Sequence, residues 1–321
     1  MKVAVVGAGI MGAATAWQLA RRGADVVVHE QFEELDHDRG SSHGRSRIFR
    51  VAYPDTSWIR LAEEAYVGWR ELDPTLLALY GLIEIAPNVA LTSARALEEC
   101  GLPHRFLEAD EGRDLGVALP ADWAALFVPD AGITYADRAR QAFLEGIDVR
   151  YGSRVDDLDA LDADVVVVTA GSWIGRFFPD LPLTVTRETV AYFRQDNPPP
   201  SIVELDEQRA HAMFSLHDPV YGLKAGAHHA GAVADPDEIG EPDPALVERI
   251  AAWVAERLPA ADPTPVAAET CLYTTTPDER FILERRGRVV IGSACSGHGF
   301  KFAPVVGARL AQLALASQSD G

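Results

Sequence analysis

The sequence predicts an α/β fold that contains a Rossmann-like nucleotide-binding domain. Residues 2–6 form a short apolar run, as expected of a strand buried on both faces of a parallel sheet. A glycine-rich turn follows, then a helical stretch that ends near Gly23, and residues 25–29 read as a second strand. A further doubly buried strand is predicted at 164–170, with the sequence DVVVVTA. Strand, helix and strand in this order begin a βαβ unit, which favours a parallel sheet.

The glycine-rich turn matches the dinucleotide-binding fingerprint. Gly7 permits a tight turn, Gly9 lets a pyrophosphate approach the backbone, and Gly12 allows the helix and the strand to pack closely. The helix that begins here offers free N–H groups and a positive dipole end to the phosphates. Glu30, at the end of the second strand, is close to the position of an acid that binds the ribose hydroxyls. Its charge disfavours NADP, but the fingerprint alone does not distinguish FAD from NAD.

The remainder of the chain mixes extended and helical patterns. Residues 40–50 form a loop that becomes regular at its end, and 57–72 have the apolar period of a helix. Residues 82–123 are mixed, whereas 189–233 are rich in strand-forming sequence. In the last third we predict helices at 242–258 and 304–316, a strand at 288–293 and a loop at 297–302.

Length, composition and charge restrict the class of function. The 321 residues suffice for about two domains, and the apolar share of 48% suffices for a sizeable core. The net charge of −19 argues against nucleic acid and against an anionic membrane surface. No apolar run approaches the roughly 20 residues of a membrane-spanning helix. The start, MKVAVVGAGIMG, does not have the pattern of a signal peptide, so the expected location is the cytoplasm.

Cysteines and lysines are both scarce. The chain has three cysteines, Cys100, Cys271 and Cys295. None belongs to a CxxC pair, so we expect neither a metal site nor a disulfide framework. Lysines are three of the 29 basic residues, at Lys2, Lys224 and Lys301. An ammonium group is a compact point charge that a planar guanidinium does not replace, so Lys224 and Lys301 are candidate functional residues.

Several segments together carry a family resemblance. They are the N-terminal fingerprint, GSSHGRSRIFRVAY (40–53), GLKAGAH (222–228), and the pair CLYTTTPDERF (271–281) and SGHGFKF (296–302). With these segments the chain resembles the monomeric sarcosine oxidase and N-methyltryptophan oxidase family, within the D-amino-acid-oxidase-like FAD-dependent oxidoreductases. The resemblance covers nearly the whole chain, and its last two segments favour FAD over NAD.

The resemblance implies a two-domain plan. A Rossmann-like FAD-binding domain of the GR2 type is interleaved with an α+β substrate domain built on an antiparallel sheet. We expect residues 1–84, 130–186 and 271–321 in the FAD-binding domain and 85–129 and 187–270 in the substrate domain. The family precedent also favours a monomer.

The resemblance assigns residues to the cofactor. Cys271 matches the position at which the family attaches FAD covalently through a thioether, a reaction that needs the thiolate. Cys100 and Cys295 have no such context, and we expect both to be structural. His43 matches a histidine of the flavin-facing loop. The other expected cofactor contacts are Gly7, Gly9, Ile10, Met11, Gly12, Glu30, Ser41, Ser42, Arg47, Ala170, Gly171, Trp173, Gly297, His298, Gly299 and Lys301.

Four residues match catalytic positions of the family. Lys224 matches the oxygen-activating lysine, whose charge stabilises superoxide as it forms beside the reduced flavin. Arg47 matches an arginine close to the flavin, Tyr273 a tyrosine that faces it, and His228 an active-site histidine. The neighbouring His229 has no match in the family, and we expect it to be exposed.

Arg50 and Lys301 match the pair that binds the substrate carboxylate, for which a guanidinium fork and an ammonium are natural partners. Arg45, in the same segment as Arg50, is expected to be solvated. The family usually carries a tyrosine where this chain has Met213, with Phe214 beside it. The chain is also shorter than typical members. We therefore expect a different substrate pocket, and sarcosine is not assured as the substrate.

The implied activity is FAD-dependent oxidation of the C–N bond of a small secondary amine or amino acid, with O2 as oxidant and an imine and H2O2 as products. One alternative is a flavin-dependent amine or imino-acid dehydrogenase that does not use O2, and another is a biosynthetic cyclic-imino-acid oxidase. An NAD-dependent dehydrogenase would also need the fingerprint. A catalytically silent flavin-binding module would have no need of Arg50, Lys224 and Lys301.

Overall fold

The computed structural model describes residues 1–121, 123–206 and 210–316. Its helices are α1 (Ile10–Arg21), α2 (Thr56–Leu72), α3 (Val89–Glu99), α4 (Ala109–Asp114), α5 (Ala136–Leu144), α6 (Pro244–Arg257) and α7 (Ala303–Leu315), with short 3₁₀ turns at Pro74–Leu76, Gly171–Arg176 and Phe300–Phe302. None of the helices in these ranges has both the length and the apolar character that a membrane crossing requires.

The strands of these ranges are short, apart from two. They are β1 (Lys2–Val6), β2 (Asp25–His29), β3 (Ser46–Phe49), β4 (Leu77–Leu79), β5 (Leu82–Ile85), β6 (Arg105–Phe106), β7 (Ala125–Val128), β8 (Gly132–Tyr135), β9 (Asp148–Arg150), β10 (Val165–Val168), β11 (Thr184–Arg194), β12 (Ser201–Glu204), β13 (Met213–Asp218), β14 (Gly222–Ala227), β15 (Ala232–Val233), β16 (Ala267–Thr275), β17 (Ile282–Arg286) and β18 (Val289–Ser293).

The first sheet, which we call the cofactor sheet, contains the two strands predicted to be buried on both faces. In the described chain it has six strands in the order β17-β18-β10-β1-β2-β9. β1 pairs in parallel with β2 and with β10, and β10 pairs in parallel with β18. Val3 and Val5 pack in a cluster with α1 and α7, whereas Ala4 and Val6 pack in another with Ile174. Both faces are covered, as the apolar runs predicted.

The second sheet, which we call the substrate sheet, is built mainly from antiparallel pairs. Within the described ranges its order is β15-β11-β14-β13-β12-β5-β7-β6, and β16 also pairs with β11. The pair of β5 and β12 is parallel. A smaller sheet, in the order β3-β8-β4, completes the strands. The strand-rich sequence at 189–233 and the expected antiparallel sheet are therefore confirmed.

Helix α6 covers one face of the substrate sheet. It begins after Asp243, whose carboxylate accepts the N–H of Ala245 at 2.8 Å and so caps the helix. Its apolar stripe, including Ile250 and Trp253, packs on Phe193 and other residues of the sheet. The other face of the sheet lines a cavity, described below. Because side chains alternate along a strand, each one points either to α6 or to this cavity.

The division into domains remains a prediction. Three of the expected boundaries, 84/85, 186/187 and 270/271, fall inside β5, β11 and β16. All three strands belong to the substrate sheet. A division that follows the sheets would therefore place β5, β11 and β16 whole in the substrate domain.

Candidate active site

A cavity lies between the cofactor sheet and the substrate sheet. It extends from Glu30, at the end of β2, to Lys224 on β14 and Lys301 in the turn before α7. The predicted catalytic and substrate-binding residues all line it, and so do the predicted cofactor-binding residues apart from Gly12 and His43. The topology thus brings together side chains that are hundreds of positions apart in the sequence.

The nucleotide end of the cavity has the shape that a diphosphate needs. Gly7 has a φ of +101°, which favours glycine, and a β-carbon at Gly12 would lie 1.9 Å from the carbonyl oxygen of Gly7. Gly12 is thus absent from the wall because it packs against the turn itself. Ser42 approaches the start of α1 and accepts the N–H of Ile10 at 3.0 Å. A helix start without bulk at the turn fits the phosphates of a dinucleotide.

Glu30 has the expected position, and two backbone N–H groups already occupy part of its carboxylate. It is 5% exposed, and its carboxylate accepts the N–H of Ala8 at 2.8 Å and that of Phe32 at 3.1 Å. These bonds hold the carboxylate at the cavity wall. A carboxylate has about four acceptor sites, so capacity is left for ribose hydroxyls. The residues at this end therefore fit FAD or another dinucleotide.

Arg47 holds the loop before β3 in its folded form. Its Nη2 donates to the carbonyl oxygens of Ser41, at 2.9 Å, and His43, at 2.5 Å, while Nη1 donates to that of Ser46 at 2.9 Å. His43 is buried beneath this loop, where burial and the charge of Arg47 lower its pKa to about 3. The ring of His43 is therefore neutral and supports the loop from outside the cavity wall.

Lys224 extends from the middle of β14 and is 7% exposed. Burial, aided by the charge of Arg47, lowers the pKa of its ammonium to about 7. Its Nζ lies 5.7 Å from the centre of the Tyr192 ring, whose hydroxyl donates to Glu269 at 2.7 Å. The apolar strand sequence around Lys224 thus places a weakly solvated cation at the cavity.

His228 and Tyr273 lie side by side in the wall. The Nδ1 atom of His228 is 3.3 Å from the hydroxyl of Tyr273. Burial lowers the pKa of His228 well below its usual value and raises that of Tyr273 well above it, so both are neutral. The prediction that His229 is exposed was wrong. Its side chain is 28% exposed and its ring lies 4.1 Å from that of His228, because a φ of +54° turns it back towards the site.

Arg50 and Lys301 meet at one aromatic ring. The guanidinium carbon of Arg50 lies 4.1 Å from the centre of the Tyr53 ring, and Nζ of Lys301 lies 5.8 Å from it. Lys301 also donates to the carbonyl oxygen of His298 at 2.6 Å. Burial and the neighbouring Arg50 lower the pKa of Lys301 well below its usual value. An anion between these two cations would raise the pKa of Lys301 again, because it stabilises the ammonium form.

Two of the three cysteines line the cavity. Cys271 lies on β16 opposite Glu188 of β11. Burial raises the pKa of its thiol, and the charges of Arg47 and Lys224 oppose that rise. Cys295 also lines the cavity, with Sγ 3.8 Å from the hydroxyl oxygen of Ser41. All three cysteines are free in this structure.

One further expectation needs correction. Arg45 is not a solvated residue, because it forms an ion pair with the buried Asp218 at 2.9 Å and its guanidinium lies 5.1 Å from the Tyr192 ring. Met213 contributes to the cavity wall, but it is 2% exposed and packs in the cluster with α6. Phe214, on the opposite face of β13, also lines the cavity, and its ring covers Gly226.

Sequence reasoning missed Glu84, which forms an ion pair with Arg50. The signal was an acid in the otherwise apolar strand LIEI at 82–85. A buried carboxylate usually has a charged partner, so this acid pointed to an arginine or lysine nearby.

Comparisons with known proteins agree with this geometry. The family model for FAD dependent oxidoreductases matches residues 2–313. The peroxisomal sarcosine oxidase of Mus musculus is 34% identical, with 97% of this chain and 91% of that protein covered. The monomeric sarcosine oxidase of Bacillus sp. (strain B-0618) is 30% identical, with 99% and 93% covered.

A solved structure shares the fold over nearly its whole length. NikD, an amino acid oxidase essential for nikkomycin biosynthesis, has a TM-score of 0.86 at 24% identity and covers 99% of this chain and 95% of its own. At this identity the likeness supports the fold alone. The fingerprint, the two sheets and the match over residues 2–313 lead to one conclusion: the chain belongs to the family of FAD-dependent oxidoreductases.

Proposed function

We propose that this protein oxidises the C–N bond of a small secondary amine or amino acid, using FAD and O2 and releasing an imine and H2O2. The observation that carries the proposal is the convergence of Arg50, Lys301 and Lys224 on one cavity that also contains the dinucleotide fingerprint. The sarcosine oxidases among its relatives support the same class of reaction.

Arg50 and Lys301 would bind the substrate carboxylate. Both line the cavity and share the Tyr53 ring, so an anion between them contacts both charges at once. A bound carboxylate stabilises the ammonium form of Lys301, whose pKa is otherwise lowered by burial. Phe214 and Val203 supply an apolar wall beside this anion site. The substrate class is therefore a small carboxylate with an apolar remainder.

His228 and Tyr273 would contact the amine of the substrate. A secondary amine must lose its proton before its electrons are available for oxidation. The amine would bind in its neutral form, and the uncharged ring of His228 can accept a hydrogen bond from it while Tyr273 fixes the orientation of the ring at Nδ1. When bound, FAD supplies the two-electron acceptor that the side chains of this chain lack.

Lys224 would act in the reaction with O2. Electron transfer to O2 creates a negative charge, and a fixed cation in a water-poor site stabilises that charge as it develops. The ammonium of Lys224 is buried, and at its pKa of about 7 it can also give up a proton to a peroxide. Both properties suit an oxidase rather than a dehydrogenase.

Cys271 would hold the flavin covalently through a thioether. Its place in the cavity wall and the two cations that oppose the rise in its pKa support this role. We also propose a monomer that acts in the cytoplasm. Three free cysteines, all within the described ranges, suit a reducing compartment. The mouse relative, by contrast, is named as peroxisomal.

The test is a peroxide assay on the purified yellow protein. We expect N-methyl amino acids and cyclic imino acids to reduce the bound flavin without oxygen, and air to reoxidise it with one H2O2 per turnover. Reduction followed by slow reoxidation in air would overturn the oxidase proposal in favour of a dehydrogenase. A colourless protein that binds NAD would overturn it altogether.

A further inference from the structure

Glu84 is a buried carboxylate that touches the proposed anion site from behind. It lies on β5, and its side chain is 0% exposed. Its Oε2 atom is 3.5 Å from Nη1 of Arg50, and the buried hydroxyl of Ser93 also faces the carboxylate. Such a carboxylate is costly to bury, so its retention in an apolar strand needs an explanation.

Arg50 separates Glu84 from the cavity. Arg50 lines the cavity with a side chain that is 19% exposed, whereas Glu84 is not among the described lining residues. Strand pairing sets Glu84 beside Val203, and Val203 beside Phe214, and both of these residues line the cavity. Glu84 therefore points towards the ligand side of the sheet, where Arg50 covers it. A substrate would sense its charge through the guanidinium, without touching it.

The charges at this end are otherwise positive. Arg50 and Lys301 face the same ring, and the neighbouring His228 and His298 have pKa values lowered by burial, so both are neutral. Burial raises the pKa of Glu84, and Arg50 opposes that rise. With Glu84 ionised, the pair with Arg50 is neutral, and the site can offer at most the single charge of the Lys301 ammonium.

We propose that Glu84 is a built-in counter-ion that limits the affinity of the Arg50–Lys301 site for carboxylates and makes it selective for ligands with one negative charge. The inference rests on the proposed carboxylate site. An incoming carboxylate shares Arg50 with Glu84 and is repelled by the charge of Glu84. The site therefore binds one carboxylate with moderate affinity. The first carboxylate neutralises the charge of Lys301, so a second carboxylate on the same ligand meets no net positive charge. Glu84 acts through Arg50 and is a positioning and specificity-determining residue.

The experiment is calorimetric titration of the flavin-loaded protein with acetate and with malonate. Glu84→Gln keeps the shape and one acceptor oxygen for Arg50 but removes the charge. We expect this variant to bind acetate about tenfold more tightly or better, because charges a few ångströms apart in a protein interact by several times the thermal energy. We expect a larger gain for malonate. If Glu84 had only a structural role, its replacement would weaken the binding of both ligands.

Glu204→Gln is the matched control. Glu204 is also a fully buried glutamate of the substrate sheet, on the neighbouring strand β12, and it pairs with Arg257 of α6 at 2.6 Å. It faces away from the cavity. We expect this variant to lose stability without a change in acetate affinity. If Glu84→Gln weakens acetate binding or leaves it unchanged, the proposal is overturned.

Two variants separate this inference from the proposed function. Arg50→Ala should abolish acetate binding, and a wild-type protein that binds no acetate would overturn the carboxylate site and the inference together. If Arg50→Ala abolishes binding but Glu84→Gln leaves it unaltered, only the inference fails. Should Glu84→Gln not fold, Glu84→Asp withdraws the charge by one methylene. It should tighten acetate binding by a smaller factor, and an unchanged affinity would again overturn the proposal.

Discussion

Gly12 packs directly against the carbonyl oxygen of Gly7, so that a β-carbon at Gly12 would lie only 1.9 Å from that oxygen. The same β-carbon would lie 2.7 Å from the hydroxyl oxygen of Thr169 on the neighbouring strand connection. The turn after β1, the start of α1 and the end of β10 therefore meet at one point. No side chain fits there without moving the backbone that forms the nucleotide end of the cavity.

Gly12→Ala is expected to yield a protein that no longer retains flavin. Overpacking costs about 1–3 kcal/mol even where side chains can move, and here one of the atoms in the way is backbone. The measurement is the ratio of flavin to protein absorbance after purification. Gly175→Ala is the control, because its β-carbon would meet nothing within 4 Å. Equal flavin content in the two variants would contradict the tight-turn interpretation.

Lys224→Met should slow the reaction of the reduced enzyme with O2 by about 10²–10³-fold, which is the usual cost of removing one preorganised charge-stabilising group. Reduction of the flavin by substrate should change far less. Stopped-flow absorbance measures the two half-reactions separately. Lys2→Met, at an exposed lysine paired with Asp162, is the control and should leave both rates unaltered. Equal slowing of the two half-reactions would instead indicate a general structural defect.

The rate of reoxidation should depend on pH through Lys224. Burial lowers the pKa of this lysine to about 7, so the ammonium form dominates below pH 7 and is lost above it. Since the charged form is the one that stabilises a developing anion, the rate constant should fall as the pH rises through about 7. A Lys224→Met variant that keeps the same pH profile would assign the titration to another group.

Cys271→Ala should release its flavin on acid precipitation, whereas the yellow colour of the wild type should stay with the pellet. The reason is that Cys271 is the proposed thioether position. Cys295→Ala is a demanding control, because Cys295 also lines the cavity. Cys100→Ala, at the C-terminal end of α3, is a second control. Colour that stays with the pellet in Cys271→Ala but is lost in Cys295→Ala would move the attachment to Cys295.

Arg50→Ala should raise KM for a carboxylate substrate by about 30-fold or more, since loss of one partner of a buried charge pair costs about 2 kcal/mol or more. For an amine without a carboxylate, the change should be small. Steady-state peroxide formation with matched substrates measures both. Arg60→Ala, at an exposed arginine of α2, is the control. An equal rise in KM for the two substrates would indicate a defect in the fold rather than in anion binding.

Much of the fold was predictable because its signals are local. The apolar runs of β1 and β10 require cover on both faces, and the glycine spacing after β1 requires a tight turn. Asp243 and the proline after it also identify the start of α6. Each of these features depends on neighbouring residues, so the sequence alone is enough to recognise it.

The features that sequence reasoning missed depend on long-range pairing. Whether Met213 or Phe214 faces the ligand is set by the register between β13 and its neighbours, and a shift of one residue reverses the answer. Arg45 was misjudged because its partner, Asp218, is at the end of that same distant strand. Glu84 likewise shows its role only when Arg50 lies beside it.

The order of the cofactor sheet has a consequence for synthesis of the protein on the ribosome. β1, β10 and β18 are neighbours in space, but the last of them begins only at residue 289. At about 5–20 residues per second, translation leaves β1 without its completed sheet for about 15–60 s. During that time β1 can pair with β2, but its other edge must wait for β10, and β10 in turn must wait for β18. Chaperones that bind unpaired apolar strands should therefore govern how much of this protein reaches its native state.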